Sequence, residues 1–349
     1  MGGELVPSAV DPTTAGDDFW KRYHAFRRLR QKETRPDDPV RSDADAEALV
    51  KRPDPFQLVD RFEVSHDAVM LSWFTGYTVS TSSPEYTSKK HLYEADFYVI
   101  PDHRRRGIGA SWLPVVLDLM DRHGRTTVGF WAEEESGHEF MKWVGAEARL
   151  SSIESRLELS EVDWTMLERW VVEGASRSPQ TRLEIFDGHL PQAMWPDYAP
   201  QLSAMLNTIP FEALDHGEIV ITPERMHEWY ARMDLSGDVQ HTVMTREPDG
   251  VISGITDTTW APYRPALIHQ QFTGVRPDAR GRGLGKWIKA AMLLHLRELY
   301  PHAEWVATDN AGSNAPMLKI NRALGFKPYR QGTEYQITRD ELAKRLAKL

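Results

Sequence analysis

Cysteine is absent from the 349 residues of this sequence. Disulfide bonds, zinc sites with thiolate ligands and cysteine nucleophiles are therefore excluded. Long apolar runs are absent as well, since no stretch approaches the ~18 residues that a membrane-spanning helix needs. Residues 1–20 lack the basic segment followed by an apolar segment that marks a secretory leader. We therefore expect a cytoplasmic protein with no membrane partner.

An excess of positive charge is also lacking. The 42 Lys and Arg residues are outnumbered by 51 Asp and Glu residues, which gives a formal net charge of −9. This balance argues against nucleic acid as a partner and mildly favours cationic small molecules. The length exceeds what a single core normally organises, and a hydrophobic fraction of 41% suffices for two cores. We expect two domains, in a chain that is either a monomer or a homodimer.

A heptapeptide motif rich in arginine and glycine occurs twice, 176 residues apart (position 104 against position 280). The first copy is Arg104, Arg105, Arg106, Gly107, Ile108, Gly109 and Ala110, and the second is Arg280, Gly281, Arg282, Gly283, Leu284, Gly285 and Lys286. Val99 and Pro101 precede the first copy, as Val275 and Pro277 precede the second. A repeat at about half the length predicts two copies of one domain. We expect residues 1–175 to form the first domain and residues 176–349 the second.

Each copy follows the apolar residues of a strand and precedes apolar residues at helical spacing. A glycine-rich turn between a strand and a helix exposes backbone N–H groups at the positive end of the helix dipole, where phosphate groups bind. A Walker loop for ATP is disfavoured, because Arg280 replaces its first glycine and Trp287 replaces its Ser or Thr. A dinucleotide fingerprint is also disfavoured, because Trp112 and Lys286 occupy the position of its third glycine.

Both copies fit the pattern Arg/Gln-x-x-Gly-x-Gly/Ala preceded by Val-x-Pro, which resembles the acyl-CoA-binding motif of the GNAT superfamily of N-acetyltransferases. Residues 306–326, which end in Leu-Gly-Phe, look like the next segment of that superfamily. The resemblance implies a mixed α/β fold, with two tandem GNAT folds that each have a twisted, splayed mixed sheet flanked by helices. It implies acetyl-CoA or another acyl-CoA as the cofactor, bound by both motif copies, by Val99 and Val275, and by Asn310 and Asn314.

Acyl transfer to an amine requires a base, and the resemblance assigns this role to the residue eleven positions before the motif. In the second half this residue is His269, and the alternative is a histidine bonded only within the sheet. Asn321 stands where many relatives have a tyrosine as general acid, so solvent or Tyr329 would protonate the thiolate. Asp257 and Glu212 are candidates for binding the amine, against the alternative that each is a solvated surface group. No metal ion is expected.

The first half departs from the pattern of the superfamily. Tyr93 stands at the position of the base, with Glu94 beside it as another candidate base. Glu134 replaces the asparagine that corresponds to Asn314, and Met141 replaces the tyrosine of the relatives. We therefore expect the first domain to be partly degenerate and structural or regulatory, although it retains a CoA-binding motif. In this asymmetry the chain is similar in layout to tandem GNAT proteins such as the mycothiol synthase family.

Two functions are compatible with these residues. The favoured one is an acyl-CoA-dependent N-acyltransferase that passes an acetyl group directly from the CoA thioester to a small primary amine, with catalysis in the second domain. The alternative is a non-catalytic acyl-CoA-binding or metabolite-sensing protein. His269 favours transfer, whereas the missing tyrosine favours binding without turnover.

Three local patterns predict secondary structure outside the motifs. Asp249-Gly250, between alternating apolar residues, predicts a two-residue hairpin turn. Residues 157–159 are expected to end the first sheet. Ser160, with Asp163 three positions later, predicts the cap of a helix that runs to about Val172.

Overall fold

The structure, a computed structural model, describes residues 5–348. Its strands are β1 (Ser8–Ala9), β2 (Gln57–His66), β3 (Val69–Val79), β4 (Leu92–Val99), β5 (Thr127–Ala132), β6 (Glu147–Glu158), β7 (Arg182–Asp187), β8 (Val239–Arg246), β9 (Ile252–Trp260), β10 (Leu267–Val275), β11 (Trp305–Ala311) and β12 (Lys327–Thr338). Its α-helices are α1 (Asp17–Thr34), α2 (Asp43–Lys51), α3 (Tyr86–Lys89), α4 (Ile108–His123), α5 (Glu135–Val144), α6 (Trp164–Arg177), α7 (Trp195–Leu206), α8 (Pro223–Ser236), α9 (Leu284–Leu299), α10 (Ala315–Leu324) and α11 (Arg339–Leu346).

The described residues form two compact units, and each unit draws on both halves of the sequence. Unit 1 comprises residues 5–151, Phe211–Glu218 and residues 332–348. Unit 2 comprises Ser152–Pro210 and Ile219–Gln331. The division of the sequence into domains 1–175 and 176–349 stays a prediction.

The strands of unit 1 form a mixed sheet in the order β1-β2-β3-β4-β5-β12. Neighbouring strands are antiparallel except β4 and β5, which are parallel. The pairs of β4 with β5 run from Leu92–Thr127 to Ala95–Phe130, and β4 then continues to Val99. The two strands therefore separate at the end that leads into the first motif.

The strands of unit 2 repeat this plan in the order β6-β11-β10-β9-β8-β7. Here β10 and β11 are the parallel pair, with pairs from Leu267–Trp305 to Gln270–Thr308. Beyond these pairs, β10 continues to Val275 and shifts its register against β9 between Gln270 and Thr273. The second motif therefore also follows a strand that leaves its parallel neighbour.

The two halves of the sequence exchange their late strands. Strand β12, from the second half, completes the sheet of unit 1, where Ile337 pairs with Val128. Strand β6, from the first half, pairs with β11 in unit 2, where Leu157 pairs with Val306. The prediction that residues 157–159 end the first sheet is therefore wrong. Burial accounts for the exchange, because Ile337 packs in the apolar core of unit 1 and Leu157 in that of unit 2.

Helix α6 begins later than its sequence pattern predicts. The side chain of Asp163 accepts from the backbone N–H of Met166 at 2.9 Å, so Asp163 is the N-cap and the helix starts at Trp164. Ser160 lies in a preceding 3-10 turn, where its hydroxyl donates to Glu158. The prediction of a cap at Ser160 is wrong because Asp163 takes that role.

The hairpin predicted between β8 and β9 is present, with a different turn centre. The carbonyl of Glu247 accepts from the N–H of Gly250 at 2.9 Å, which places Pro248 and Asp249 at the centre. Gly250 follows with a φ of 89°, a left-handed conformation that glycine adopts without steric cost. The loop is therefore one residue longer than the predicted two-residue turn.

Helices cover both faces of each sheet. In unit 1, α1 contacts one face, where Phe26 packs on Tyr98, and α4 contacts the other, where Trp112 stacks on Phe74. In unit 2, α7 and α8 form one apolar layer, and α6 and α9 form another. These layers confirm the predicted mixed α/β class. None of the helices in residues 5–348 has the length and apolar character needed to cross a membrane.

Candidate functional site

The arginine-glycine motifs form the same turn in both units. Each motif follows a 3-10 turn after β4 or β10 and leads into α4 or α9. The first arginine folds back on its own strand in both copies. The Nε of Arg104 donates to the carbonyl of Val99 at 3.0 Å, and the Nε of Arg280 donates to that of Val275 at 3.2 Å. The predicted order of strand, turn and helix is therefore present twice.

Glycine is favoured at two positions of each motif. Gly107 and Gly283 precede the helices with φ of 85° and 86°. A Cβ at Gly109 would lie 3.1 Å from the ring of Phe140, and one at Gly285 would lie 3.3 Å from a side chain of α10. Glycine thus permits close packing of α4 on α5 and of α9 on α10. The first N–H groups of each helix have no acceptor within the helix, which suits them to bind an anion.

A cleft of about 900 Å³ lies in unit 1 where β4 and β5 separate. Its walls come from the ends of both strands, from the first motif and from α5. The motif residues that line it are Arg104, Arg105, Gly107, Gly109 and Ala110. A cleft of this size accommodates a small molecule or a cofactor.

The arginines of the first motif differ in their contacts. Arg104 forms a two-point ion pair with Glu33, with Nη–Oε distances of 2.8 and 2.6 Å. Arg105 and Arg106 are exposed, and Arg105 lies 3.5 Å from Glu139. An anion at this turn would therefore meet Arg105, Arg106 and the main-chain N–H groups, while Arg104 supports the turn.

Two carboxylates lie where β4 and β5 begin to separate. Glu94 of β4 is paired in the sheet with Gly129 of β5, and Glu334 of β12 is paired with Trp131. Burial raises the pKa of Glu94 to about 8, and the negative charge of Glu334 adds to this shift. Burial also raises the pKa of Glu334 to about 7. The pair therefore holds a proton close to neutral pH.

The two faces of β4 carry different chemistry. Asp96 lies on the same face as Glu94, lines the cleft and forms an ion pair with Arg30 at 3.0 Å. Tyr93, at the position predicted for the base, lies on the opposite face, where its hydroxyl donates to Asp60 at 2.9 Å. Of the two adjacent residues, Glu94 thus shares its face of β4 with Asp96, which lines the cleft.

The second motif makes different contacts in unit 2. Arg282 lies 2.9 Å from a carboxylate oxygen of Glu247 and donates to the hydroxyl of Thr181 at 2.6 Å. Arg280 is exposed and donates to the hydroxyl of Thr208 at 3.2 Å. Arg282 is therefore engaged in an internal ion pair. Of the remaining motif residues, Ile108 and Leu284 are buried at the starts of α4 and α9, Gly281 lies in the second turn at a φ of 82°, and Lys286 is exposed on α9.

His269 lies on β10 next to Arg264. Its Nε2 is 2.8 Å from an Nη atom of Arg264. Because a guanidinium group only donates hydrogen bonds, Nε2 accepts this one and its lone pair is engaged. The role of His269 as a base stays a prediction.

Asn321 and Asn310 contact each other and a residue that sequence patterns did not single out. Lys289 donates from Nζ to Oδ1 of Asn321 at 2.9 Å, and Nδ2 of Asn321 donates to Oδ1 of Asn310 at 2.7 Å. Lys289 is 1% exposed, and burial lowers its pKa to about 7. Residues 287–294 are apolar except for Lys289, and this lone charge is the signal that could have identified it.

Asn314 is the N-cap of α10. Its side-chain oxygen accepts from the N–H of Met317 at 3.4 Å. Glu134 holds the corresponding position before α5, where its side chain makes no capping hydrogen bond to the helix, and it lines the cleft of unit 1. The predicted contact of Asn314 with the cofactor stays a prediction.

The two acids predicted to bind the amine belong to different units. Asp257 on β9 in unit 2 is 2% exposed and accepts from the hydroxyl of Thr242 at 2.6 Å. Burial raises the pKa of Asp257 to about 6. Glu212 lies in the Phe211–Glu218 segment of unit 1 and accepts from the N–H of Ser151 at 3.5 Å. Neither unit therefore brings the two acids into one site.

Known proteins match this chain in sequence. Residues 21–145 match the acetyltransferase (GNAT) family. The mycothiol acetyltransferase of Saccharomonospora viridis is 25% identical over 260 residues, which cover 69% of this chain and 73% of that protein. The mycothiol acetyltransferase of Pseudarthrobacter chlorophenolicus is 39% identical over 62 residues, which cover 18% of this chain and 19% of that protein.

Solved structures share the fold. A tandem GNAT protein from the clavulanic acid biosynthesis pathway has a TM-score of 0.74 at 20% identity, covering 96% of this chain and 99% of that one. A GCN5-related N-acetyltransferase from Sphaerobacter thermophilus has a TM-score of 0.62 at 15% identity, covering 96% of this chain and 95% of that one.

The fold is therefore that of a tandem GNAT protein. The family match assigns residues 21–145 to the acetyltransferase (GNAT) family, and the relatives that align with the chain are mycothiol acetyltransferases. The family match lies in the first half of the sequence. Judged by motif residues alone, this half departs further from the superfamily pattern than the second half does.

Proposed function

We propose that unit 1 binds acyl-CoA in the cleft between β4 and β5 and transfers its acyl group, an acetyl group in the simplest case, to a small primary amine. The observation that carries this proposal is the pair of half-buried acids, Glu94 and Glu334, at the point where the strands separate. The family match over residues 21–145 supports the same unit. The mycothiol acetyltransferases among the relatives support a small-molecule acceptor.

The cleft has groups suited to both ends of the cofactor. The phosphates of CoA would meet the N–H groups at the start of α4 and the side chains of Arg105 and Arg106. Beyond Ala95, β4 turns away from β5 and offers main-chain groups to the extended pantetheine arm, as a strand edge does to a peptide. The thioester would then lie near Glu94.

The acids supply the proton transfer that the reaction needs. A protonated amine gives its proton to the Glu94–Glu334 pair, and its lone pair attacks the thioester carbonyl. The C–S bond of the tetrahedral intermediate then breaks, the nitrogen of the new amide releases its second proton to solvent, and the CoA thiolate takes a proton from solvent.

The contacts in unit 2 support a different role for it. Arg282 is held by Glu247, and the Nε2 lone pair of His269 is engaged by Arg264. These contacts oppose phosphate binding and base catalysis at the second motif. Catalysis by residues 176–349 stays a prediction that the following experiment tests as well.

Binding of acetyl-CoA should distinguish the two units. Calorimetry would compare an Arg105→Glu/Arg106→Glu double variant with Arg280→Glu, because all three arginines are exposed and their replacement leaves the cores intact. We expect the double variant to lose binding, since attraction to phosphate becomes repulsion, and Arg280→Glu to retain it. If only Arg280→Glu lost binding, acetyl-CoA would be shown to bind in unit 2 and not in unit 1.

Turnover should be followed by release of the CoA thiol in the presence of a panel of small amines. Glu94→Gln should lower kcat roughly 100-fold or more, the usual contribution of a general base, with the Kd of acetyl-CoA unchanged. Asp118→Asn, which changes an exposed acid on α4, is the matched control. Wild-type kcat in Glu94→Gln would remove this residue from the mechanism.

A further inference from the structure

We propose that unit 2 holds a divalent transition-metal ion, of which Zn²⁺ is the best match, bound by Asp187, His241 and His295. The three residues come from β7, β8 and α9, so sequence spacing does not reveal them. The site is separate from the motif turn, because His295 lies about 16 Å along α9 from Leu284. The proposal does not depend on the proposed acyl transfer.

The ligand atoms already converge. Asp187 and His241 are paired across β7 and β8, which fixes their side chains on one face of the sheet. Oδ1 of Asp187 lies 2.6 Å from Nδ1 of His241 and 2.7 Å from Nε2 of His295. The three ligand atoms all lie within 4.8 Å of one another. Ligand atoms around a tetrahedral zinc ion are roughly 3.3 Å apart, so small rotations of the exposed Asp187 and half-buried His295 side chains would complete the geometry.

His241, the most buried of the three ligands, has further contacts that hold its ring in place. His241 is 2% exposed, and its other ring nitrogen, Nε2, lies 2.7 Å from the hydroxyl of Tyr300. Tyr300 in turn stacks on Trp260, with ring centroids 4.7 Å apart. An outer hydrogen bond of this kind orients a metal-binding imidazole and fixes which nitrogen faces the ion. Nδ1 of His241 is thereby directed at Asp187.

The donor set and exposure favour one class of ion. Two imidazoles and one carboxylate suit zinc and its neighbours in the first transition row, whereas Mg²⁺ and Ca²⁺ prefer all-oxygen sites. The side chains of Asp187 and His295 are 48% and 21% exposed. An ion can therefore enter from solvent, and water can fill its remaining position. Such an ion would join the edge of the sheet to α9.

Zinc titration of the whole chain tests the proposal. Protein stripped with a chelator would be titrated with Zn²⁺ against a chromophoric competitor, and we expect one site per chain that raises the Tm. His295→Gln and Asp187→Asn should each weaken this site at least ten-fold. Tyr300→Phe should weaken it by about 10- to 100-fold through the outer hydrogen bond. Circular dichroism of each variant checks the fold.

His189→Gln is the matched control, because His189 and Asp234 form an exposed histidine–acid pair outside the cluster. This variant should bind Zn²⁺ as the wild type does. Cobalt substitution should give absorption bands that His295→Gln abolishes. Equal Zn²⁺ binding by wild type and His295→Gln, or the absence of a site in the wild type, would overturn the proposal and leave the cluster as a hydrogen-bond network.

Discussion

Glu94 occupies the space above Gly129. A Cβ at residue 129 would lie 2.2 Å from Oε2 of Glu94, far inside van der Waals contact. The glycine on β5 is therefore what allows the acid of β4 to extend across the sheet.

Gly129→Ala should displace Glu94 and lower kcat without weakening the binding of acetyl-CoA. The added methyl group cannot share the space with the carboxylate, so the end of the flexible Glu94 side chain must move away from Gly129. Steady-state kinetics and calorimetry would separate the two effects. Gly16→Ala, where a Cβ meets open space, is the control. Full kcat in folded Gly129→Ala would show that the position of Glu94 does not matter.

The pH dependence of kcat/KM should report the ionisation of Glu94 and its coupling to Glu334. Glu94 must be ionised to act as a base, and its pKa is raised to about 8. Activity should therefore be present above this pKa and lost as the pH falls through it. Glu334→Gln removes a neighbouring negative charge, so the pKa of Glu94 should fall. The acidic limb of the kcat/KM profile should then move to lower pH. An unmoved limb would show that the two acids are not coupled.

Lys289→Met should make the stability of the protein less dependent on pH. The pKa of Lys289 is lowered from 10.5 to about 7 by burial, so the folded state binds fewer protons than the unfolded state between these values. Wild-type stability should accordingly rise with pH over this window. The full shift corresponds to roughly 5 kcal/mol, an upper limit, from which the lost hydrogen bond to Asn321 subtracts about 1–3 kcal/mol.

Urea unfolding at pH 7 and pH 9.5 measures this effect. The gain of Lys289→Met over wild type should be larger at pH 7. Lys286→Met, which changes an exposed lysine three residues earlier on α9, should show no such difference between the two pH values. Equal gains at both pH values would mean that Lys289 stays charged in the folded protein.

His269→Ala distinguishes the two assignments of the base. If unit 2 were catalytic through His269, this variant would lose kcat and the corresponding limb of the pH profile. With chemistry in unit 1, we expect kcat close to that of the wild type. Thiol release at saturating acetyl-CoA gives the comparison, and Glu94→Gln measured in parallel shows which unit responds.

Local features were predictable from the sequence because short-range geometry determines them. Gly107 and Gly283 need positive φ at the start of a helix, and this requirement is visible as a motif. The turn arginines were harder to interpret. Nothing near Arg282 in sequence indicates that it forms an ion pair with Glu247 of the β8–β9 hairpin.

Long-range pairing lay beyond the sequence patterns. Alternation of apolar residues predicts that residues 157–159 form a strand, yet it does not say which sheet receives them. Glu334 was missed for the same reason, because its importance arises only from the pairing of β12 with β5. The acids of the proposed site thus come from positions 240 residues apart.

The exchange of β6 and β12 affects the order in which the chain acquires its structure during synthesis. Unit 1 lacks strand β12, which carries Glu334, until residues 332–338 have left the ribosome. Unit 2 is complete at Gln331, so it has all of its residues first, although domains are generally completed from the N-terminus. A fragment ending at residue 175 would expose the edge of β5 without its partner strand. Aggregation through that open edge is the expected fate of such a fragment.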